Sequence, residues 1–99
     1  MRREELTVRY VDYMPETKEE GILYVSKKFG LAIHLCPCGC GEQVVTPIKG
    51  DWSGSKTRPD CWGFTEHEDG TVTLSPSIGN FQFGCKSHYF IRRNKIVWV

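Results

Sequence analysis

Residues 21–41 read GILYVSKKFGLAIHLCPCGCG. The first part decides the fold. Gly21 to Ser26 and Leu31 to Leu35 are short apolar, β-branched runs, and Lys27-Lys28-Phe29-Gly30 between them turns the chain. Runs of five or so such residues around a glycine-containing turn are strand signals. The second strand ends in the cysteines, so whatever Cys36, Cys38 and Cys40 hold is attached directly to a sheet.

The same reading extends in both directions. Leu6 to Tyr13 is rich in β-branched and aromatic residues and predicts a strand ended by Met14-Pro15, with a polar surface connection over Glu16 to Glu20. Gln43 to Thr46 predicts a short strand stopped by Pro47. Lys49 to Pro59 is rich in Gly, Ser and Lys and reads as a loop. Trp62–His67 and Thr71–Leu74 flank Glu68-Asp69-Gly70, and Asp-Gly between strands is a strong hairpin signal. Ser75 to Asn80 is irregular by composition. His88–Arg92 and Ile96–Val99 flank Arg93-Asn94-Lys95 as a terminal hairpin. No segment carries a long 3.6-residue period. The expected fold class is therefore mainly β: a small antiparallel sheet, one domain over residues 1–99, with a structural zinc site.

Composition excludes several functions. With 13 Lys+Arg against 12 Asp+Glu the net charge is +1, too balanced for a nucleic-acid-binding footprint. No apolar run approaches the ~20 residues of a helical membrane span, and Met1-Arg-Arg-Glu-Glu5 opens no secretory signal. These features point to a cytoplasmic protein, where clustered cysteines more often mean metal or chemistry than disulfides. The cysteine count is five, which is odd, and alternate residues bridge one another only with strain.

Zinc takes four thiolate or imidazole ligands in a tetrahedron, and a site closed by protein ligands alone is structural. Gly39 and Gly41 allow the tight turn that lets alternate thiolates converge. Cys85 is the best candidate for the fourth ligand, since Phe83-Gly84-Cys85 has its own glycine; His88, Cys61 and His34 are rivals. Iron could use the same thiolates, and inert buried cysteines or a reactive thiol are the alternatives. Ser77, between Pro76 and Ile78-Gly79, is a possible nucleophile at a strand end, and His88 a possible base. From sequence alone Ser-Pro-Ser is equally ordinary turn chemistry.

Taken together, His34-Leu-Cys-Pro-Cys-Gly-Cys-Gly41, Val44-Val-Thr-Pro47, Asp69-Gly-Thr-Val-Thr-Leu-Ser-Pro-Ser-Ile-Gly-Asn80 and Cys85-Lys-Ser-His-Tyr-Phe-Ile-Arg-Arg-Asn94 resemble a family of small bacterial zinc-binding proteins. Their genes lie beside those for ubiquitin-like proteins and for E1-like and E2-like enzymes. The resemblance runs from about residue 21 to the C-terminus and implies a serine peptidase of a bacterial ubiquitination-like pathway. It implies zinc on Cys36, Cys38, Cys40 and Cys85, and catalysis by Ser77 with His88 as base. Ser87 matches a further polar position. The implied partners are a ubiquitin-like protein and its E1-like or E2-like enzymes, with no nucleic acid or membrane.

Two functional classes follow. One is a hydrolase acting on the C-terminus or conjugates of a ubiquitin-like protein, with backbone N–H groups around Ile78-Gly79 for the oxyanion and Asn80 or an acidic residue orienting the base. The other is a zinc-binding adaptor without chemistry, which would form complexes but not turn over.

Overall fold

A computed structural model describes residues 4–49, 62–80 and 84–99. Eight strands follow one another along the chain: β1 Thr7–Tyr10, β2 Ile22–Ser26, β3 Leu31–Leu35, β4 Gln43–Lys49, β5 Trp62–Glu66, β6 Val72–Gly79, β7 His88–Arg92 and β8 Lys95–Trp98. They form a single sheet in chain order, and there is no helix among the described residues. The sheet curls until its ends meet. Leu6 N donates to Asn94 O at 2.7 Å and Ile96 N to Glu4 O at 2.7 Å, around a bridge between Glu5 and Lys95.

The sheet is mixed rather than purely antiparallel. β1–β2 and β4–β5 pair in parallel, and the other neighbours are antiparallel. Hairpin turns give antiparallel neighbours, whereas a parallel partner needs a longer crossover. Both parallel pairs fall where the connection is long, across residues 11–21 and 50–61. The expected loop over Lys49 to Pro59 lies almost wholly outside the described residues.

Alternation sets the core. Along β4, Val44, Thr46 and Ile48 are buried while Gln43, Val45 and Lys49 are exposed, the pattern of a strand with one face inward. Leu23, Val25, Leu74, Ile78, Tyr89 and Ile91 fill the interior, and burying a large apolar side chain contributes about 1.5–3 kcal/mol.

β1 is shorter than the sequence reading, ending at Tyr10 rather than Tyr13, and two strands run further than expected. β4 does not stop at Pro47 but runs on to Lys49. In its antiparallel register with β3, Leu31 faces Pro47. Ile48 N donates to Gly30 O at 2.8 Å and Cys36 N to Glu42 O at 2.8 Å, so the even-numbered residues of β4 bond β3 and the odd-numbered ones point away. Proline's missing N–H therefore falls on the side where β3 needs none.

β6 likewise continues through Ser75 to Gly79. Its pairing with β7 shifts between Leu74↔Ile91 and Ile78↔Tyr89: four steps on β6 match two on β7. The surplus residues make a bulge at Ser75-Pro76-Ser77, so the irregular composition marked a deformed strand rather than a loop. Elsewhere the turns are regular. Arg93 and Asn94, both at positive φ (48° and 67°), make the two-residue hairpin turn that such geometry suits.

Candidate functional site

The β3–β4 turn and the chain entering β7 bring four sulfurs together. The ligand atoms of Cys36, Cys38, Cys40 and Cys85 all lie within 4.8 Å of one another. Sγ separations are 3.4 Å for Cys36–Cys38, 3.7 Å for Cys36–Cys85 and 3.6 Å for Cys40–Cys85. Four thiolates ~2.3 Å from one tetrahedral ion would stand about 3.8 Å apart, so the set fits a metal. Gly39 (φ 92°) and Gly41 (φ 84°) supply the turn, a left-handed conformation that costs glycine nothing.

The surroundings suit negative charge on sulfur. Ser87, only 7% exposed, puts its hydroxyl 3.2 Å from Cys85 Sγ and 3.5 Å from Cys36 Sγ. Lys86 adopts φ 48°, a left-handed step rare for a residue with a side chain, immediately before Ser87. Hydrogen bonds from the Ser87 hydroxyl and amide hold the Cys85 thiol down at about 6, while burial pushes Cys36 up. A bound cation would favour the thiolate form of its cysteine ligands.

One residue past Ser87, His88 opens β7. Its register partner is Gly79, which presents no side chain opposite the imidazole. The bulge brings Ser77 to the same place: Ser77 Oγ is 2.9 Å from His88 Nε2, within reach for proton transfer. Trp62 Nε1 donates to Ser77 O at 3.4 Å, tying the start of β5 to the bulge. The structure thus brings Ser77 and His88 into hydrogen-bond contact and gathers Cys36, Cys38, Cys40 and Cys85, the residues named by the sequence resemblance.

A family model described as "Bacterial ubiquitination-like system serine protease (BubE)" matches residues 10–99. The chain belongs to the BubE family. No curated protein and no solved structure matches it significantly. The BubE description names serine protease activity within a bacterial ubiquitination-like system, and the thiol cluster adds a site compatible with a metal.

Within this BubE-family fold the two histidine rivals have other partners. His88 turns its Nε2 to Ser77 rather than to the sulfurs. His34 is fully buried and holds the Tyr89 hydroxyl at 2.7 Å through Nε2; burial lowers its pKa to about 4 and keeps it neutral. Cys61 lies outside the described residues. Asn80 is buried within the same site. Its Nδ2 donates to the Tyr89 hydroxyl at 3.3 Å and approaches Cys36 Sγ at 3.7 Å, so a buried polar chain runs from His34 through Tyr89 and Asn80 to the cluster. Trp62 and Tyr89 carried no local motif; only their placement across the sheet makes them part of the site.

Proposed function

We propose that this protein is a serine hydrolase of a bacterial ubiquitination-like system, with Ser77 as nucleophile and His88 as base. It would cut at the C-terminus, or release conjugates, of a ubiquitin-like protein. The observation that carries the reading is the 2.9 Å approach of Ser77 Oγ to His88 Nε2, and membership of a family described as serine proteases supports it. With the imidazole proton on Nδ1, Nε2 accepts the Ser77 proton as Oγ bonds to the substrate carbonyl carbon. His88 then protonates the departing amine or alcohol, and the acyl-enzyme is hydrolysed by water that His88 deprotonates. Ile78 lies in a hydrogen-bonded pair with Tyr89 on β7, so of the two expected oxyanion donors Gly79 N–H remains, facing away from β7.

The cluster fits zinc as a structural ion on Cys36, Cys38, Cys40 and Cys85. It would supply folding energy, and it leaves Ser77 and His88 to do the chemistry. The tie between the β3–β4 turn and Cys85 fixes the backbone three residues before His88. The cytoplasm is the compartment that suits four reduced thiols. E1-like and E2-like enzymes of the same system are the further partners.

The test is incubation of the purified protein with the ubiquitin-like precursor of its system, followed by intact-mass analysis. Loss of a C-terminal fragment that disappears in Ser77→Ala and His88→Ala supports the proposal. Cleavage surviving Ser77→Ala would remove that nucleophile, and stable complex formation without turnover, indifferent to serine-reactive phosphonates, would favour an adaptor.

A further inference from the structure

The register that sets Ser77 against His88 is kept at the short end of the β6–β7 pair. Beyond the bulge the strands are in step at Ile78↔Tyr89 and Gly79↔His88. One pair further on, Asn80 N donates to Ser87 O at 2.7 Å. A slip of one residue along either strand would turn the imidazole to the other face of the sheet and break its 2.9 Å contact with Ser77 Oγ. The side chains that end this run are those of Asn80 and Ser87.

Successive strand residues face opposite sides. His88 meets Ser77 on one side, and its neighbour Ser87 turns to the other, where Ser87 and Asn80 are 7% and 3% exposed. Both reach the sulfurs. From the chain entering β7, Ser87 Oγ lies 3.2 Å from Cys85 Sγ and 3.5 Å from Cys36 Sγ. From the end of β6, Asn80 Nδ2 lies 3.7 Å from Cys36 Sγ. Cys36 belongs to neither strand: it follows β3, where its N–H donates to Glu42 O at 2.8 Å. One hydroxyl and one amide, from the two strands that carry Ser77 and His88, thus converge on a sulfur anchored elsewhere in the sheet.

We infer that Ser87 and Asn80 are positioning residues for the Ser77–His88 pair. Their hydrogen bonds to the sulfurs hold the last pairs of β6 and β7 in register, and so hold the imidazole against Ser77. The inference rests on the serine-hydrolase reading for what the pair does, though not for where it lies. Ser87 carries the larger share, because fixing it inward fixes the next residue, His88, outward. Thiolates are better acceptors than thiols, and a hydrogen bond to a charged group is roughly twice as strong as a neutral one. A cation on the four cysteines would therefore strengthen both contacts while leaving Ser77 and His88 free of it.

The test compares Ser87→Ala, Ser87→Thr and Asn80→Leu with the unaltered full chain. Three readouts are followed: the sulfur-to-cobalt charge-transfer band of the cobalt(II)-loaded protein, the imidazole nitrogen resonances of His88 in the zinc-loaded protein, and the rate of labelling by a fluorophosphonate. Ser87→Ala and Asn80→Leu should move the band to longer wavelength, since a thiolate that loses a hydrogen bond gives up its electron more easily. They should also move the His88 Nε2 resonance downfield as its bond to Ser77 is lost, and slow labelling about tenfold or more. Ser87→Thr keeps the hydroxyl and should keep all three. Asn94→Ala, which costs stability at the other end of the same strands, should keep all three as well. A band that does not move, a His88 resonance unmoved while the band moves, or losses that Asn94→Ala reproduces would overturn the positioning role. If Ser87→Ala does not fold, Asn80→Leu carries the test from the other strand. An unaltered chain that the phosphonate does not label, with band and resonance moving as expected in the variants, would instead remove the nucleophile and leave the positioning role standing.

Discussion

The two ends of the β6–β7 pair are built to different rules. At one end a single register pair, Leu74↔Ile91, lies next to the Arg93-Asn94 turn. There Asn94 uses its side chain on Val72 N at 2.8 Å, and its backbone bonds both Leu6 and Val72. At the other end Ile78↔Tyr89 and Gly79↔His88 pair in register beyond the bulge, Lys86 takes a left-handed step, and polar side chains face sulfurs or one another rather than closing a turn. The first end is held by one turn residue, through its backbone and its side chain. Between the ends, where the register shifts, a serine is freed toward a histidine. The four-cysteine cluster ties the second end to the β3–β4 turn.

The largest expected effect tests that tie. A structural zinc site can contribute on the order of 10 kcal/mol, against the roughly 5–15 kcal/mol net stability of a domain. Removing the metal with a strong chelator, or Cys85→Ser, should abolish the cooperative thermal transition followed by circular dichroism. A chain that keeps its transition with less than one equivalent of metal bound would break the comparison at its centre.

Next comes chemistry. Ser77→Ala should lower kcat/KM for precursor cleavage about a thousandfold or more while shifting the melting temperature little, because the side chain is only half buried. A matching loss of stability would mean that the bulge is held by the Ser77–His88 bond itself.

At the regular end the effect is smaller and purely structural. Asn94→Ala loses the bond to Val72 N and forces alanine into a left-handed turn, costing about 1–3 kcal/mol. For a chain of this size that lowers the melting temperature by about 4–8 °C per kcal/mol. Asn94→Gly relieves the backbone part and should recover a portion, with cleavage unchanged in both. Loss of activity in Asn94→Gly would show that the two ends are coupled.

The smallest effect lies at the far end of β5. Lys27, 2.8 Å away, and the Tyr10 hydroxyl, at 2.7 Å, hold the Glu66 carboxyl below its usual range. A carboxylate with a depressed folded pKa stabilises the fold above its unfolded pKa, and that contribution fades as pH falls through the folded value. Glu66→Gln should flatten the acid limb of a stability–pH curve by under about 1 kcal/mol, because the pair is exposed.

Much of this was legible in the chain itself. β3 falls on Leu31–Leu35 as its composition predicts, the Asp-Gly turn lies where expected, and the Arg-Asn-Lys turn is one residue shorter, with Lys95 opening β8. The cysteine spacing with Gly84-Cys85 marked the four sulfurs that converge. Illegible features depended on partners. Whether Pro47 ends a strand depends on which flank its missing N–H occupies, and that phase is set by β3. Ser75 to Asn80 looks irregular because proline and serine favour turns, yet pairing with Gly63 before the bulge and Tyr89 after it keeps the segment in the sheet. The parallel pairs had no local signature, since long connections do not specify direction. Nor did Asn80 reveal that its amide reaches both Tyr89 and a cysteine sulfur.

Pro47 has a further consequence, for solubility. A bare strand flank recruits other strands without discrimination, copies of its own chain included. Among the described residues, that flank of β4 has donors at Gln43 and Val45, then a proline, and from Ile48 onward it is covered by β5. A second molecule docking edge to edge there would meet two donors and then the proline. The proline thus keeps that flank from serving as a template for a growing sheet.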